Sequence, residues 1–149
     1  MNFEYLSPVD ESLLVYAKLQ INKSIGQCIE IYTTQSEFPN LENKKIAIIG
    51  VEEDRGSVDN YGTGNNLDEI RKEFYKLYPG NWPINVADLG NIKKGNSIED
   101  TYFALNSVLS SLLKIKIIPI IIGGGQDLTY ANYRAYDSLE QTVNLVSVD

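Results

Sequence analysis

The sequence predicts an α/β fold in which helices cover both faces of a parallel β-sheet. Short β-branched runs without polar alternation, of which residues 45–51 (KIAIIGV) form the clearest, are typical of strands buried on both faces. Segments with apolar residues at helical spacing separate these runs. Because strand and helix alternate at short intervals, we expect right-handed crossovers and a parallel sheet between two layers of helices.

The N-terminal segment is predicted to begin with a helix. Ser7-Pro8-Val9-Asp10 has the pattern of a helix start, with a hydroxyl cap, a proline at the first helical position and an acidic residue that reaches back to a free amide. The helix should extend to about Gln20. Its apolar face comprises Leu13, Leu14, Ala17 and Ile21. Residues 25–32 stay open between a short helix and a strand.

Strands and helices then alternate to the end of the chain. The expected elements are strand 45–51, helix 67–78, strand 84–89, helix 97–114, strand 117–122, helix 127–136 and strand 143–148. The residues expected to pack are Leu67, Ile70, Phe74 and Leu77 on the first of these helices, and Tyr130, Tyr133 and Tyr136 on the last. Three loops, 52–66, 90–96 and 123–126, follow carboxyl ends of strands, where ligands bind in such sheets.

Composition favours one domain over residues 1–149, with residues 1–44 as an N-terminal helical extension packed on it. The sequence lacks the run of about 18 apolar residues that a membrane span needs, and its N-terminus lacks the layout of a secretory signal. We therefore expect a cytoplasmic protein without a membrane partner. A net charge of −7 opposes binding to nucleic acid, because phosphate recognition needs clustered Lys and Arg.

The sequence contains no histidine, which removes the commonest general base and the commonest nitrogen ligand for metals. Chemistry within these residues must use carboxylates, hydroxyls or amides, and a Ser-His-Asp triad is excluded. The single cysteine, Cys28, is interpreted as a small buried apolar residue. The acidic run Glu52-Glu53-Asp54 is interpreted as a solvated surface loop.

Glycine patterns raise a nucleotide-binding alternative. Gly62-x-Gly64 and Gly123-x-Gly125 each lack the third glycine of a dinucleotide motif, and no P-loop pattern occurs. Three successive glycines before Gln126 and Asp127 permit a tight turn, so these two residues are the candidate substrate-binding side chains. A glycine turn followed by a helix cap at Asp127 explains the same residues without any ligand.

The order of five segments resembles the ureohydrolase family of arginase, agmatinase and formimidoylglutamase. The segments are IAIIGV, a glycine loop with Ile70-Arg71, Asp88-Leu89-Gly90, PIIIGGGQDLT and VNLVSVD. The resemblance covers about Lys45 to Asp149. It implies the N-terminal half of an arginase-like three-layer α/β/α fold, and hydrolysis of linear guanidino or formimino C–N bonds by metal-activated hydroxide.

The chain departs from that family at the metal motif. Where the family reads Gly-Gly-Asp-His-Ser, alignment places Gly125 at the Asp, Gln126 at the manganese-binding His and Asp127 at the Ser. Glutamine offers only a neutral amide oxygen, whereas manganese sites use imidazole and carboxylate ligands. Asp149 matches the first Asp of the family's Asp-x-His-x-Asp and is the candidate metal ligand; alternatively, it only closes a strand.

The resemblance implies a manganese enzyme acting on a small guanidino or formimino substrate, here with a degenerate metal site and inactive as this fragment. One alternative is a non-catalytic domain of the same fold that binds a small molecule or assembles oligomers; family members form trimers or hexamers. A second is an independent nucleotide-binding domain.

In the family's sheet, strands from the C-terminal half separate the counterparts of 117–122 and 143–148. We therefore expect these two strands to pair directly, or another chain to cover the open edge.

Overall fold

Strands and helices alternate along the computed structural model, which describes residues 3–81, 85–140, 142–146 and 148. The elements are β1 (Leu6–Ser7), α1 (Glu11–Lys18), α2 (Ile25–Cys28), β2 (Glu30–Ile31), β3 (Ile46–Val51), α3 (Leu67–Lys76), β4 (Val86–Ile92), α4 (Ile98–Lys114), β5 (Ile118–Ile122) and α5 (Leu128–Asp137). This alternation confirms the predicted α/β class. No helix in the described ranges has both the length and the apolar character needed to cross a membrane.

The strands form one mixed sheet in the order β1-β4-β3-β5, and β2 also pairs with β4. The pairs β3–β4, β3–β5 and β2–β4 are parallel, whereas β1 is antiparallel to β4. Both short N-terminal strands lie along the outer edge of β4. They therefore cover backbone groups that would otherwise be exposed at that edge.

The N-terminal helix starts later than the sequence pattern predicted. Ser7 belongs to β1, and Val9 donates its N–H to the Tyr32 carbonyl at 3.0 Å, so this stretch is extended. The cap is Asp10, whose carboxylate accepts from the Ser12 N–H at 2.9 Å. The helix start predicted at Ser7 was wrong because pairing with neighbouring backbone holds residues 6–9 out of the helix.

The ambiguous stretch 25–32 contains both predicted alternatives, since α2 is followed directly by β2. The inward position of α2 is Gly26, where an added Cβ would lie 3.0 Å from the Ala17 carbonyl oxygen and 3.1 Å from that of Tyr75. Cys28 is exposed, so its interpretation as a buried residue was wrong. It lies two residues beyond Gly26, which turns it away from that contact.

Helices cover both faces of the sheet, as predicted, with one apolar cluster on each. One cluster joins β3 and β4 to α4 and α5 and includes Ala47, Ile49, Val51, Leu105 and Ala131. The other joins the sheet to α1 and α3 and includes Leu13, Ile48, Leu67, Tyr75 and Ile122. Successive residues of β3 thus face opposite layers, which explains why its sequence shows no polar alternation.

The buried face of α3 differs from the predicted one. Leu67 is buried as expected, but the other fully buried side chains are Arg71 and Tyr75. Ile70 and Leu77, predicted to pack, are 46% and 53% exposed. Apolar spacing was misleading here because a carboxylate on β4 draws two polar side chains of α3 inward.

That carboxylate belongs to Asp88, which is completely buried. One of its oxygens accepts from Arg71 Nε and from the Tyr75 hydroxyl, both at 2.7 Å, and the other accepts from Arg71 at 3.1 Å and the Gly90 N–H at 3.0 Å. Burial, together with the adjacent Asp88 charge, raises the pKa of Tyr75 far above its usual range. The phenol therefore stays a hydrogen-bond donor.

The backbone of β4 bulges directly after Asp88. The register with β3 shifts between Ile48 and Gly50, and Gly90 adopts a positive φ of 85°. A Cβ at Gly90 would lie 2.1 Å from the Ser7 carbonyl oxygen, so β1 can approach only a glycine. β4 starts at Val86 in the described residues and continues to Ile92, beyond its predicted end; Ile84 lies outside them.

β5 lies at the other edge of the sheet. The Ile118 N–H donates to the carbonyl of Lys45, the residue before β3, at 2.9 Å. Pro119 and Ile121 alternate with the residues that face β3, so their backbone groups point away from β3. Within the described ranges, β5 pairs with β3 alone.

The predicted strand 143–148 is not formed by its described residues. Leu145, Val146 and Val148 are 69%, 82% and 92% exposed, and no described strand offers them backbone partners. The expected direct pairing with β5 was therefore wrong. The packing role predicted for Tyr130 and Tyr133 was also wrong, since these side chains are 61% and 43% exposed and α5 packs through its alanines.

Replacing Arg71 by methionine should lower the free energy of unfolding by about 3–5 kcal/mol, because Asp88 would keep a buried charge without its cation. The matched control is Lys72→Met on the same helix. Lys72 forms a surface ion pair with Glu69, and its loss should cost about 0–1 kcal/mol. Urea unfolding followed by circular dichroism measures both values, and equal losses would contradict the role given to Asp88.

Candidate ligand site at the carboxyl ends of the strands

Three loops meet at the carboxyl ends of β3, β4 and β5, as the sequence predicted. The Gly124 N–H donates to the Thr63 carbonyl at 3.2 Å, and the Gly125 N–H donates to the Glu53 carbonyl at 3.0 Å. The loop after β5 is thus bound to both ends of the loop after β3. Because the three strands are parallel, their loops share one edge of the sheet.

Glu53 anchors the loop after β3. Its side chain is 0% exposed, and its two oxygens accept from Arg55 Nε at 2.9 Å, an Arg55 terminal nitrogen at 2.6 Å and the Thr101 hydroxyl at 2.7 Å. Hydrogen bonds from Arg55 outweigh the effect of burial and lower the pKa of Glu53 to about 2. The prediction of a solvated acidic run was wrong for Glu53.

Arg55 extends this anchor to the loop after β4. Its terminal nitrogens donate to the carbonyls of Gly95, Asn96 and Ser97 at 2.9, 3.1 and 3.2 Å. Ser97 also caps α4 in a capping box with Asp100, as the sequence predicted for the cap. One guanidinium therefore joins a buried carboxylate to the start of α4.

Asp54, which follows Glu53 in the chain, is also buried and ion-paired, so the interpretation of the acidic run as solvated was wrong for this residue too. Its carboxylate accepts from Lys94 on the loop after β4 and from the Gly62 N–H at 2.7 Å. The Lys94 hydrogen bond holds the pKa of Asp54 below its usual range. Both acidic side chains are consumed in holding the loops together.

Asp127 lies at the start of α5, where the loop after β5 ends. It is the N-cap residue of α5, so the predicted position of the cap is confirmed, but its side chain makes no capping hydrogen bond. One oxygen, Oδ2, accepts from the Tyr102 hydroxyl of α4. The other, Oδ1, is buried and has no hydrogen-bond partner among the described residues. A buried carboxylate oxygen without a donor is costly, which marks it as a place for a ligand's N–H.

Two glycines make room for the Asp127 carboxylate. A Cβ at Gly56 would lie 2.4 Å from Oδ2, and a Cβ at Gly125 would lie 2.0 Å from Oδ1 and 2.2 Å from the Ser57 hydroxyl. Any side chain at either position would therefore displace the carboxylate. The third glycine of the GGG run is required by this close approach.

A cleft of about 380 Å³ opens beside this carboxylate. Its lining comprises Gly56, Ser57, Val58, Asn60, Gln126 and Asp127. Gln126 is exposed, so its amide is available to a ligand. The structure thus brings the two predicted substrate-binding residues to one cleft. The predicted metal ligand Asp149 lies outside the described residues.

A larger cleft of about 520 Å³ lies nearer the ends of β3 and β4. Its acidic side chains are Glu52, Asp68 and Glu69. Each already has a partner: Asn91 for Glu52 at 3.2 Å, Arg71 for Asp68 at 3.6 Å and Lys72 for Glu69 at 2.7 Å. Satisfied carboxylates make this a weaker candidate site, and three of them oppose phosphate binding.

The sequence pattern did not identify Tyr102, Ser57 or Arg55. Tyr102 lies on a helix 25 positions before its partner, so no local spacing reveals the contact. Arg55 did carry a local signal, because it lies two residues after Glu53 and the two side chains can pair across a turn. Within the described ranges, no three His, Cys, Asp or Glu side chains form a group able to hold a metal ion.

Comparison with known proteins places these features in a family context. Residues 44–149 match the model of the Arginase family. The formimidoylglutamase of Streptococcus gordonii is 30% identical over 122 residues, covering 74% of this chain and 37% of that protein. The formimidoylglutamase of Staphylococcus haemolyticus is 25% identical over 126 residues, covering 76% and 40%. The chain therefore spans about two-fifths of the length of these relatives.

Solved structures show the same fold. The Trypanosoma cruzi formiminoglutamase with Mn²⁺ matches with a TM-score of 0.57 at 25% identity, covering 66% of this chain and 40% of that one. The agmatine ureohydrolase of Thermoplasma volcanium matches with a TM-score of 0.58 at 24% identity, covering 79% and 40%. The second likeness supports the fold alone.

Lowering the pH should reduce the stabilisation that the Glu53 carboxylate provides. Because its folded-state pKa of about 2 lies below the ordinary 4.5, its stabilisation is present above pH 4.5 and is lost as the pH falls toward 2. When the pH is lowered from 5 to 3, the free energy of unfolding of the wild type should therefore fall by about 1–3 kcal/mol more than that of Glu53→Gln. Urea titrations at the two pH values measure this difference. The control, Glu73→Gln at an exposed ion pair, should retain the wild-type slope; a matching slope for Glu53→Gln would refute the anchor.

Proposed function

Because the chain belongs to the arginase family, we propose that the cleft beside Asp127 binds the protonated guanidino or formimino group of a small molecule. The observation that carries this proposal is the buried Asp127 Oδ1, which has no described partner. Protonated guanidino and formimino groups combine a positive charge with N–H donors, which are the two properties that such an oxygen requires. The name of the two relatives, formimidoylglutamase, points to the same class of ligand.

In this proposal Asp127 supplies the charge and Gln126 supplies a second, neutral acceptor at the cleft wall. A charge-assisted hydrogen bond in a cleft is worth about 1.5–3 kcal/mol. The amide of Gln126 can accept another N–H without adding a second negative charge. The cleft volume of about 380 Å³ suits a group of this size rather than a macromolecule.

The described residues do not fit the manganese found in the T. cruzi enzyme. In the loop after β5, Gly125 has no side chain, Gln126 offers a neutral amide, and Asp127 has one oxygen held by Tyr102. No three ligating side chains come together in the ranges that the structure describes. We therefore propose that residues 1–149 alone bind this ligand without hydrolysing it.

Homo-oligomer formation stays a prediction. The outer edge of β5 carries no partner strand among the described residues, which supports association with another chain at that edge. Light scattering coupled to size-exclusion chromatography would measure the mass in solution.

Asp127→Asn should weaken the binding of agmatine and of formimidoylglutamate by about 10- to 100-fold, the equivalent of one charge-assisted hydrogen bond. Isothermal titration calorimetry of the intact chain measures both dissociation constants. The matched control is Asp137→Asn, which removes an exposed carboxylate at the end of α5 and should leave affinity unchanged. Wild-type affinity in Asp127→Asn, or no binding by the wild type, would contradict the proposal.

Manganese should not be retained by residues 1–149 at a stoichiometric level, because the loop after β5 offers too few anionic ligands. The protein would be incubated with Mn²⁺, dialysed against metal-free buffer and examined by elemental analysis. Retention of one or two ions per chain would contradict this prediction and show a more complete set of metal ligands.

A further inference from the structure

A cleft runs along the face of α4 that is turned away from the sheet. The opposite face of this helix is committed to the core through buried side chains such as Leu105 and Leu109. The outer cleft has a volume of about 570 Å³. Its lining residues on the helix are Phe103, Asn106, Ser107, Ser110, Ser111 and Lys114. None of them lines the cleft beside Asp127, so this face is separate from the proposed ligand site.

Phe103 is an exposed aromatic residue at one end of the outer cleft. Its side chain is 64% exposed, although the helix around it packs tightly on the sheet. The ring makes an edge-to-face contact with Tyr5, with the ring centroids 6.1 Å apart, which favours one orientation of the side chain. Aromatic side chains of this kind supply much of the binding energy at protein interfaces. Phe103 is therefore a candidate contact for another polypeptide.

This face of α4 is neutral in a strongly acidic protein. The net charge of the chain is −7, yet residues 101–113 contain no charged side chain. Two copies of an acidic protein repel one another over most of their surfaces. A neutral face with an exposed aromatic ring is where such copies can approach.

Opposite charges stand at the two ends of the neutral face. Glu99 lies one helical turn before Phe103, and Lys114 closes the last turn. Both side chains are exposed, and neither forms an ion pair among the described residues. They are about 22 Å apart along the helix, so they cannot pair within one chain.

The residues that line the outer cleft are arranged symmetrically about the middle of the helix, between Val108 and Leu109. Residues equally far from this midpoint form three pairs, Phe103 with Lys114, Asn106 with Ser111, and Ser107 with Ser110. A two-fold axis through the midpoint brings the members of each pair together across two antiparallel helices. The pairs match an aromatic ring with a cation, an amide with a hydroxyl and a hydroxyl with a hydroxyl. This self-complementarity favours a second copy of the chain over an unrelated partner.

We propose that the outer face of α4 is the contact between two copies of this chain, packed as an antiparallel helix pair about a two-fold axis. The Lys114 ammonium of each copy then lies over the Phe103 ring of the other, in a cation–π contact. It also lies one turn from the Glu99 carboxylate of the other copy, close enough to form an ion pair. The short side chains between these ends let the helix axes approach to roughly 8–10 Å.

This arrangement goes beyond the proposed ligand site and leaves it accessible. The Ser97 carbonyl at the start of α4 accepts from Arg55 of the loop after β3, so the first turn lies at the carboxyl ends of the strands. Antiparallel packing places the two first turns at opposite ends of the helix pair. The two Asp127 clefts therefore lie far apart, and ligand affinity should be equal in monomer and dimer.

Charge reversal tests the contact between Lys114 and Glu99. Sedimentation velocity over a concentration series gives the dimer dissociation constant of the intact wild type, which we expect in the micromolar range for a contact of this size. Lys114→Glu should weaken the dimer by about 5- to 10-fold, because two carboxylates then face each other across the axis. The double variant Glu99→Lys/Lys114→Glu restores opposite charges and should return to within about 2-fold of the wild type. Since the two residues cannot meet within one chain, only an intermolecular pair explains this recovery.

The matched control for charge is Lys18→Glu. Lys18 is an exposed lysine in the last turn of α1, on the other face of the sheet, and its reversal changes the net charge equally. This variant should keep the wild-type dissociation constant. Circular dichroism of every variant checks that the helix content is retained. A double variant that is as weak as Lys114→Glu would overturn the proposed pairing.

Phe103→Ser tests the same surface without a change of charge. Loss of the ring should weaken the dimer by about 10-fold or more, whereas Tyr78→Ser, at an exposed aromatic residue after α3, should leave it unchanged. A dimer that resists both Phe103→Ser and Lys114→Glu would assign association to another surface, such as the edge of β5, and overturn the inference. A wild type that stays monomeric would also overturn it and would leave the ligand proposal at Asp127 untouched.

Discussion

The buried Asp88 carboxylate is the interaction on which the arrangement of the molecule depends. It joins β4 to α3 through Arg71 and Tyr75, and it holds the bulge of its own strand through the Gly90 N–H. Arg71 also donates to the Gly90 carbonyl at 3.0 Å, so both the N–H and the carbonyl of Gly90 are hydrogen-bonded. A charged group can be buried here only because every lone pair meets a donor. The direction of the chain at the carboxyl end of β4, and hence the position of the next loop, follows from this network.

The sequence predicted the fold class, the central strands and the meeting of three loops because these depend on local apolar patterns and on the direction of parallel strands. It did not predict the packed face of α3, since Arg71 and Tyr75 are buried by a partner 13 to 17 residues away rather than by their own hydrophobicity. For the same reason it missed Tyr102. The run 143–148 has the composition of a strand, but composition does not supply a neighbouring strand with which to pair.

The loop after β5 contains a steric relation between two of its residues. The resemblance to the family motif leads one to expect an Asp at the position of Gly125 and a Ser at that of Asp127, whereas this chain has its carboxylate at the second position. Because a Cβ at Gly125 would lie 2.0 Å from Asp127 Oδ1, a carboxylate at the first position excludes the present placement of the carboxylate at the second. Glycine at position 125 and aspartate at position 127 are therefore coupled by packing.

Pro119 affects how the edge of β5, which carries no partner strand among the described residues, behaves at high concentration. Its backbone nitrogen is directed outward and carries no hydrogen, so Ile121 alone supplies an outward N–H among the central residues of this strand. A foreign strand laid against this edge would find a gap in the donor ladder, which penalises indiscriminate stacking into fibrils. The strand can thus remain rich in isoleucine, as packing against the helices requires, without becoming a template for aggregation.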